Sequence, residues 1–216
     1  MLKALVLKEL RESAGLIAIA LLGAAYVLSD LMGFRLLPTQ SGSPTFFPFV
    51  SDASHFYFAL LAGGLAILLG FKQSAWELWQ GSYFFLLHRP AGRRTIFAVK
   101  LIVGLAILLL MLGGMIQIYA MWAAAPGTHP SPFFWSMTVP VWQLWCSVPL
   151  LYFGAFSSGI RPGRWFGSRL LPFAASGLLF MFAAYVPYWW LTMLIAAIGT
   201  TLFIPSIFHY AETRDY

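Results

Sequence analysis

The chain predicts an all-α, polytopic integral membrane protein. It reads as one transmembrane domain over residues 1–216, with about six transmembrane helices, an N-terminal amphipathic interfacial helix and both termini cytoplasmic. Three observations carry this. Only 9% of the residues are charged and 60% are hydrophobic, whereas a soluble domain averages about 25% charged and needs that charge to cover its surface. Leu101 to Ile160 runs sixty residues without an Asp, Glu, Lys or Arg; a bilayer span needs about 20 apolar residues, so this stretch holds two spans and a loop. Once the spans are laid out, the basic residues fall almost entirely on one side.

Taken in order, the first element is MLKALVLKELRES. Its basic start before an apolar run looks like a signal peptide, but Glu9 and Glu12 stand in the basic region and the apolar run is too long. It reads as retained. Residues 1–13 suit an interfacial helix, with Leu2, Leu5, Val6 and Leu10 on one side, Lys8, Arg11 and Glu12 on the other, and Lys3 and Glu9 blurring the division. The alternative is a cytoplasmic extension of span one. That span covers about Ala14 to Met32. A Pro-, Ser- and Gly-rich outer loop follows, LLPTQSGSPTFFPF, and then span two from about Phe56 to Phe71. Span three covers about Ile96 to Ala123, with Thr95 as its N-cap and Lys100 snorkelling back to the headgroups. The turn cluster PGTHPSP leads to span four, about Met137 to Ile160. Spans five and six share Leu170 to Phe208 and fold back near Tyr185 to Tyr188. Each member of that pair is short, so a re-entrant segment stays open; either version returns the chain to the same side.

Counting charges tests this layout. One side carries Lys3, Lys8, Arg11, Lys72, Arg89, Arg93, Arg94, Lys100, Arg161, Arg164, Arg169 and Arg214, and the other carries only Arg35. A bias of twelve to one puts both termini in the cytoplasm. The net charge of +6 is then a topology signal, and no basic patch interleaved with aromatics points to nucleic acid. Trp122, Trp135, Trp142, Tyr185, Trp189 and Trp190 fall near span ends, where amphipathic rings favour the headgroup level. The one cysteine, Cys146, lies in an apolar run and reads as a buried small hydrophobe.

The chain is poor in reactive chemistry. It has no G-x-x-x-x-G-K-[ST] and no H-E-x-x-H. Carboxylates within the spans are nearly missing, with Asp30 at an outer end and Glu77 placed in the inner loop, so no proton relay is legible. No nucleophile with a convergent base stands out, no metal ligand set is present, and no cofactor is implied. Gln117 and Tyr119 of span three and Gln143 of span four carry two open readings: hydrogen bonds between helices, or a polar lining for a substrate path. The pairs Ala59/Gly63 and Gly154/Ser158 are spaced for close helix packing. Pro149 and Pro205 fall within spans and are expected to kink them.

The inner loop over residues 72–95 is the most patterned feature. Trp76, Trp79, Tyr83 and Leu86 or Leu87 recur at helical spacing, with Gln73, Glu77 and Gln80 on the opposite face. This predicts a short helix lying against the membrane, stopped at Pro90 and Gly92. The stretch WELWQGSYFFLLHRPAGRRTIFAVK resembles the inner loop of permease subunits of ABC transporters of the second, exporter-like type, in Glu77, Gly81, Leu86, Leu87, Pro90, Arg93, Arg94 and Lys100. The start LVLKELRES resembles that family's amphipathic first helix through Lys8, Glu9, Arg11 and Glu12. The matched motifs cover about a fifth of the chain, and the very short segment between spans five and six departs from relatives with longer external elements.

The resemblance implies a membrane-spanning permease without its own ATPase domain, paired with a second permease copy or paralogue and with separate ATP-binding-cassette ATPase subunits. It implies that the inner loop is a coupling helix seated on the ATPase through Glu77, Gly81, Pro90, Arg93 and Arg94, and it leans towards export without fixing the direction of transport. A multi-pass place in the bacterial inner membrane is the matching expectation. The alternative is a non-catalytic structural or assembly subunit of another membrane complex, which the same chemical inertness suits.

Overall fold

A computed structural model describes residues 2–34, 47–50, 53–79, 92–164 and 167–213. Among the described residues six helices are long and apolar enough to cross a membrane: α1 (Leu2–Leu31), α2 (Ser54–Trp79), α3 (Arg93–Ala124), α4 (Trp135–Ile160), α5 (Ser168–Tyr185) and α6 (Trp189–Thr213). No strand occurs among the described residues. The chain is a multi-pass, all-helical membrane protein.

Local sequence explains the helix boundaries. Pro140 and Pro172 open the regular α-helical parts of α4 and α5, Val139–Ile160 and Leu171–Tyr185, each after a short 3-10 turn, a position that proline favours. Pro187 ends α5: the residue before it, Val186, is extended at φ −70° and ψ 136°, as a following proline demands. Span five thus ends and α6 begins within three residues, close to the expected fold-back. Pro149 and Pro205 lie inside α4 and α6.

The bundle is organised around α4. It packs on α2, α5 and α6, and 67% of its apolar stretch is buried, against 22% for α5 and for α6. Small residues set its closest crossings. A side chain at Gly70 would strike the backbone of Tyr152 and Phe156, and one at Gly154 would collide with Ser176. Gly154 and Ser158 do form a close-packing pair, since the Ser158 hydroxyl also accepts the Phe173 N–H at 3.0 Å. Gly63 meets nothing nearer than a Leu151 methyl at 3.5 Å, so Ala59/Gly63 marks no backbone crossing.

Three expectations change. The N-terminal residues form no separate interfacial helix; Leu2–Leu31 is one continuous helix. Its buried side runs through Leu5, Glu9 and Ser13, while Leu2 and Leu10 are exposed. The loop helix is also not separate at its start, because α2 continues through Lys72–Trp76 to Trp79 with a π-helical turn. Gln73 and Glu77 do oppose Trp76 and Trp79, as the spacing predicts. Here the polar face is the one turned into the protein, and the two tryptophans are exposed, packed edge to face at 5.5 Å. Finally, α3 begins at Arg93 with Gly92 as N-cap, so Thr95 lies inside the first turn and does not cap it.

Contacts between helices gather one set of ends. Glu9 of α1 and Glu77 of α2 meet Lys100 of α3. Arg94 of α3 meets Glu212 of α6. Arg169, in the opening turn of α5, donates to the Ser158 and Gly159 carbonyls near the end of α4, at 3.1 and 2.7 Å. Lys3, Lys8, Arg11, Lys72, Arg93, Arg94, Lys100 and Arg169 lie in the helix ends that these contacts join, and Arg161 and Arg164 lie in the segment between α4 and α5. The opposite end is aromatic. Phe49, at φ 66°, tucks against Tyr119 with ring centres 4.7 Å apart, and Tyr119 stacks on Trp122 at 5.5 Å.

Candidate functional site

The basic end of the bundle holds a buried ionic cluster built by four helices. Its centre is Lys100, 1% exposed in the first turns of α3. The ammonium donates to Glu9 Oε1 of α1 at 2.8 Å and to Glu77 Oε1 of α2. Glu9 and Glu77 are themselves 2% and 5% exposed. Gln73 Nε2 donates to the other Glu9 oxygen at 3.3 Å, and Tyr152 of α4 donates to Gln73 Oε1 at 2.7 Å. The same hydroxyl lies 3.2 Å from the Lys100 carbonyl. Lys8 stands at the rim, 3.0 Å from Glu12, 3.4 Å from Glu9 and 4.0 Å from Glu77.

Sequence and geometry explain why these side chains converge. Leu69, Gln73 and Glu77 are spaced by fours. In a plain α-helix each such step runs ahead of a full 3.6-residue turn, so the third residue drifts off the face. The wider π-helical turn over Lys72–Trp76 takes up that drift and keeps Gln73 and Glu77 on the side set by Leu69. Ser74 supports the turn by donating to the Gly70 carbonyl at 2.5 Å. Gly104 provides the space opposite: a Cβ there would collide with the Tyr152 hydroxyl and Gln73 Oε1. Likewise a side chain at Gly159 would occupy the position of Ser74.

Burying these charges is expensive, and a partial cluster would not survive it. Removing one member of a buried ion pair costs about 3–5 kcal/mol because its partner is left uncompensated. Lys100 does not snorkel to the headgroups; the Glu9 and Glu77 carboxylates, whose attraction is stronger in a low-dielectric interior, hold it inside. Glu77 Oε2 is buried with no hydrogen-bond partner among the described residues. A cavity of about 140 Å³, lined by Glu9, Glu12, Ser13, Lys72, Gln73, Trp76 and Glu77, opens beside it, with room for water at about 30 Å³ per molecule. Glu9, Glu12 and Glu77 bring carboxylate oxygens within 4.8 Å of one another, a spacing compatible with a cation. Lys8 and Lys100 already supply positive charge there, which makes the trio an ion-pair network.

The predicted site residues thus divide. Glu9 and Glu77 join in the buried cluster, and Glu12 and Lys8 join at its rim. Arg11 is exposed on α1. Arg93 and Arg94 open α3, where Arg94 pairs with Glu212 and Arg93 donates to the Glu212 carbonyl at 3.3 Å. That acid offsets two cations at a helix N-terminus, an end that disfavours positive charge. Gly81 and Pro90, with the rest of residues 80–91, lie outside the described residues. Gln117, Tyr119 and Gln143 do not meet one another. Gln117 is exposed, Tyr119 sits in the aromatic cluster, and Gln143 donates to the Val186 carbonyl at 3.3 Å.

Lys100, Gln73 and Tyr152 are the members that the sequence alone did not assign to a site. A lysine placed four residues inside an apolar span was the available signal for Lys100. Gln73 and Tyr152 carried none, since their role depends on which helices meet. The low count of carboxylates within the spans also needs correction, because Glu9 and Glu77 are both buried. They share one end of the bundle and do not form a series across it. No protein-family model, curated protein or solved structure matches the chain, so the chemistry of this cluster and the sequence resemblance carry the functional reading.

Proposed function

We propose that the chain is the membrane-spanning permease subunit of an ATP-driven ABC transporter of the second, exporter-like type, working with a separate ATPase and a second permease. The observation that carries this reading is the linkage of α2 to its neighbours at the basic end. The helix that leads into residues 80–91 carries Glu77 on its last turns, and Glu77 is tied through Lys100 to α3 and through the shared ammonium to Glu9 of α1. A push on the loop from an ATPase would reach three helices through one buried ionic cluster. In an apolar bundle, such a cluster is a stiff, directional connection between elements that otherwise slide on methyl groups.

The basic end is read as the cytoplasmic end, by the positive-inside bias of twelve to one. The chain has no P-loop, so ATP hydrolysis falls to a partner. Arg93 and Arg94 stand beside the loop at the mouth of α3 and present cations to that partner. The double variant Arg93→Glu/Arg94→Glu tests this on the chain isolated from its native membrane in mild detergent. The expected result is loss of a co-isolated ATPase while the variant still elutes as a folded, monodisperse species. An ATPase retained at the wild-type ratio contradicts the assignment of these residues. Co-isolation of redox or other subunits in place of an ATPase favours the assembly-subunit reading.

A further inference from the structure

A second feature of the basic end lies next to the ionic cluster and shares Lys72 and Trp76 with the cavity beside it. An open groove of about 1000 Å³ runs along the outer side of α2 where it passes α1. Its walls are apolar, from Leu16, Leu68, Phe71 and Trp79, and its polar lining consists of two cations, Lys72 and Arg169. No carboxylate lines it among the described residues.

The two cations are brought to one place by the fold. Lys72 opens the π-helical turn, and Ser74 of that turn packs on Gly159, where a Cβ would find no room. Arg169 holds the carbonyl of the same Gly159 at 2.7 Å. Trp76 and Trp79 flank the groove as exposed indoles, the side chains that favour the headgroup level. An open, mainly apolar groove lined by two cations and by no carboxylate among the described residues, at the basic end of a membrane bundle, matches an amphiphile with an anionic head.

We infer that the groove binds an anionic phospholipid, its acyl chain along Leu16, Leu68 and Phe71 and its phosphate between Lys72 and Arg169. Basic pockets between transmembrane helices recognise anionic headgroups through this combination. Lys72 also lines the cavity beside Glu77 and donates to the Glu12 carbonyl. The bound phosphate therefore sits on the turn that aligns Gln73 and Glu77, and lipid occupancy bears directly on the ionic cluster.

The test uses the full chain purified in mild detergent, incubated with equal amounts of phosphatidylglycerol and phosphatidylcholine and examined by native mass spectrometry. Each cation near a headgroup favours an anionic lipid by about fivefold, so the native chain should retain phosphatidylglycerol over phosphatidylcholine by at least tenfold or so. Lys72→Gln should lower that preference by about fivefold. Lys3→Gln removes the same charge from an exposed site at the same end and should leave the preference unchanged. Ala75→Trp fills the groove while keeping both cations and should reduce retention of either lipid. Circular dichroism and elution volume establish that each variant is folded. Equal retention of the two lipids by the native chain overturns the inference. So does a Lys3→Gln effect as large as that of Lys72→Gln, which would mark only the general charge of this end.

Discussion

Lys100 is the residue on which the basic end turns. Its ammonium is shared by two buried carboxylates, so the three charges stand or fall together. Lys100→Met leaves Glu9 and Glu77 facing each other in an apolar interior and should destabilise the chain by about 3–5 kcal/mol. The measurement is the midpoint of thermal unfolding in detergent, together with yield in the membrane. The triple variant Glu9→Leu/Glu77→Leu/Lys100→Met removes every charge at once and should recover most of that loss, because well-packed apolar side chains replace buried ion pairs at little cost. If the triple variant regains stability and also full transport, the cluster is packing alone. Regained stability without transport assigns it a part in the mechanism. Gly104 provides a second test. Alanine there meets the Tyr152 hydroxyl and Gln73 Oε1 and should cost about 1–3 kcal/mol by overpacking, whereas Gly114→Ala, with open space around it, should be nearly silent.

At the scale of elements, the six helices and their approximate limits were legible because lipid demands long apolar runs and the loops between them are rich in Pro and Gly. The two places that were not legible share one physical reason. Residues 2–13 and 72–79 each show an amphipathic pattern, and a pattern specifies two faces without saying what covers them. Membrane headgroups would cover them in the interfacial reading. In the structure Glu9 and Glu77 are covered by Lys100, a residue 91 and 23 positions away along the chain. A pairing of that range cannot be read from local spacing. The mouth of α3 makes its own prediction. Arg94 is held by Glu212 of α6, and both are largely exposed. Arg94→Glu should loosen the contact of α3 with the end of α6, and the charge swap Arg94→Glu/Glu212→Arg should restore it. Cysteine crosslinking between Gly92, the N-cap of α3, and Thr213 would report this as crosslinking yield: lower in the single variant and regained in the swap. An unchanged yield in both variants counts against the pair as a tether.

At the scale of the whole molecule, charge is segregated along the bundle axis. One end gathers basic helix termini around a buried ionic cluster and a groove with two cations. The other carries an aromatic cluster around Tyr119, and the helices between are mainly apolar. This asymmetry suits a protein whose one end meets another protein and whose middle meets lipid. On the proposed reading the partner is an ATPase that works on residues 80–91, and the ionic cluster passes the movement to α1 and α3. The most direct measurement is the composition of the complex recovered with the tagged chain from its native membrane. The account predicts a second polypeptide carrying G-x-x-x-x-G-K-[ST], present in equal number to the permease chains, with ATP hydrolysis in the recovered complex. Recovery of the chain alone, or only with subunits that lack that motif, would contradict it.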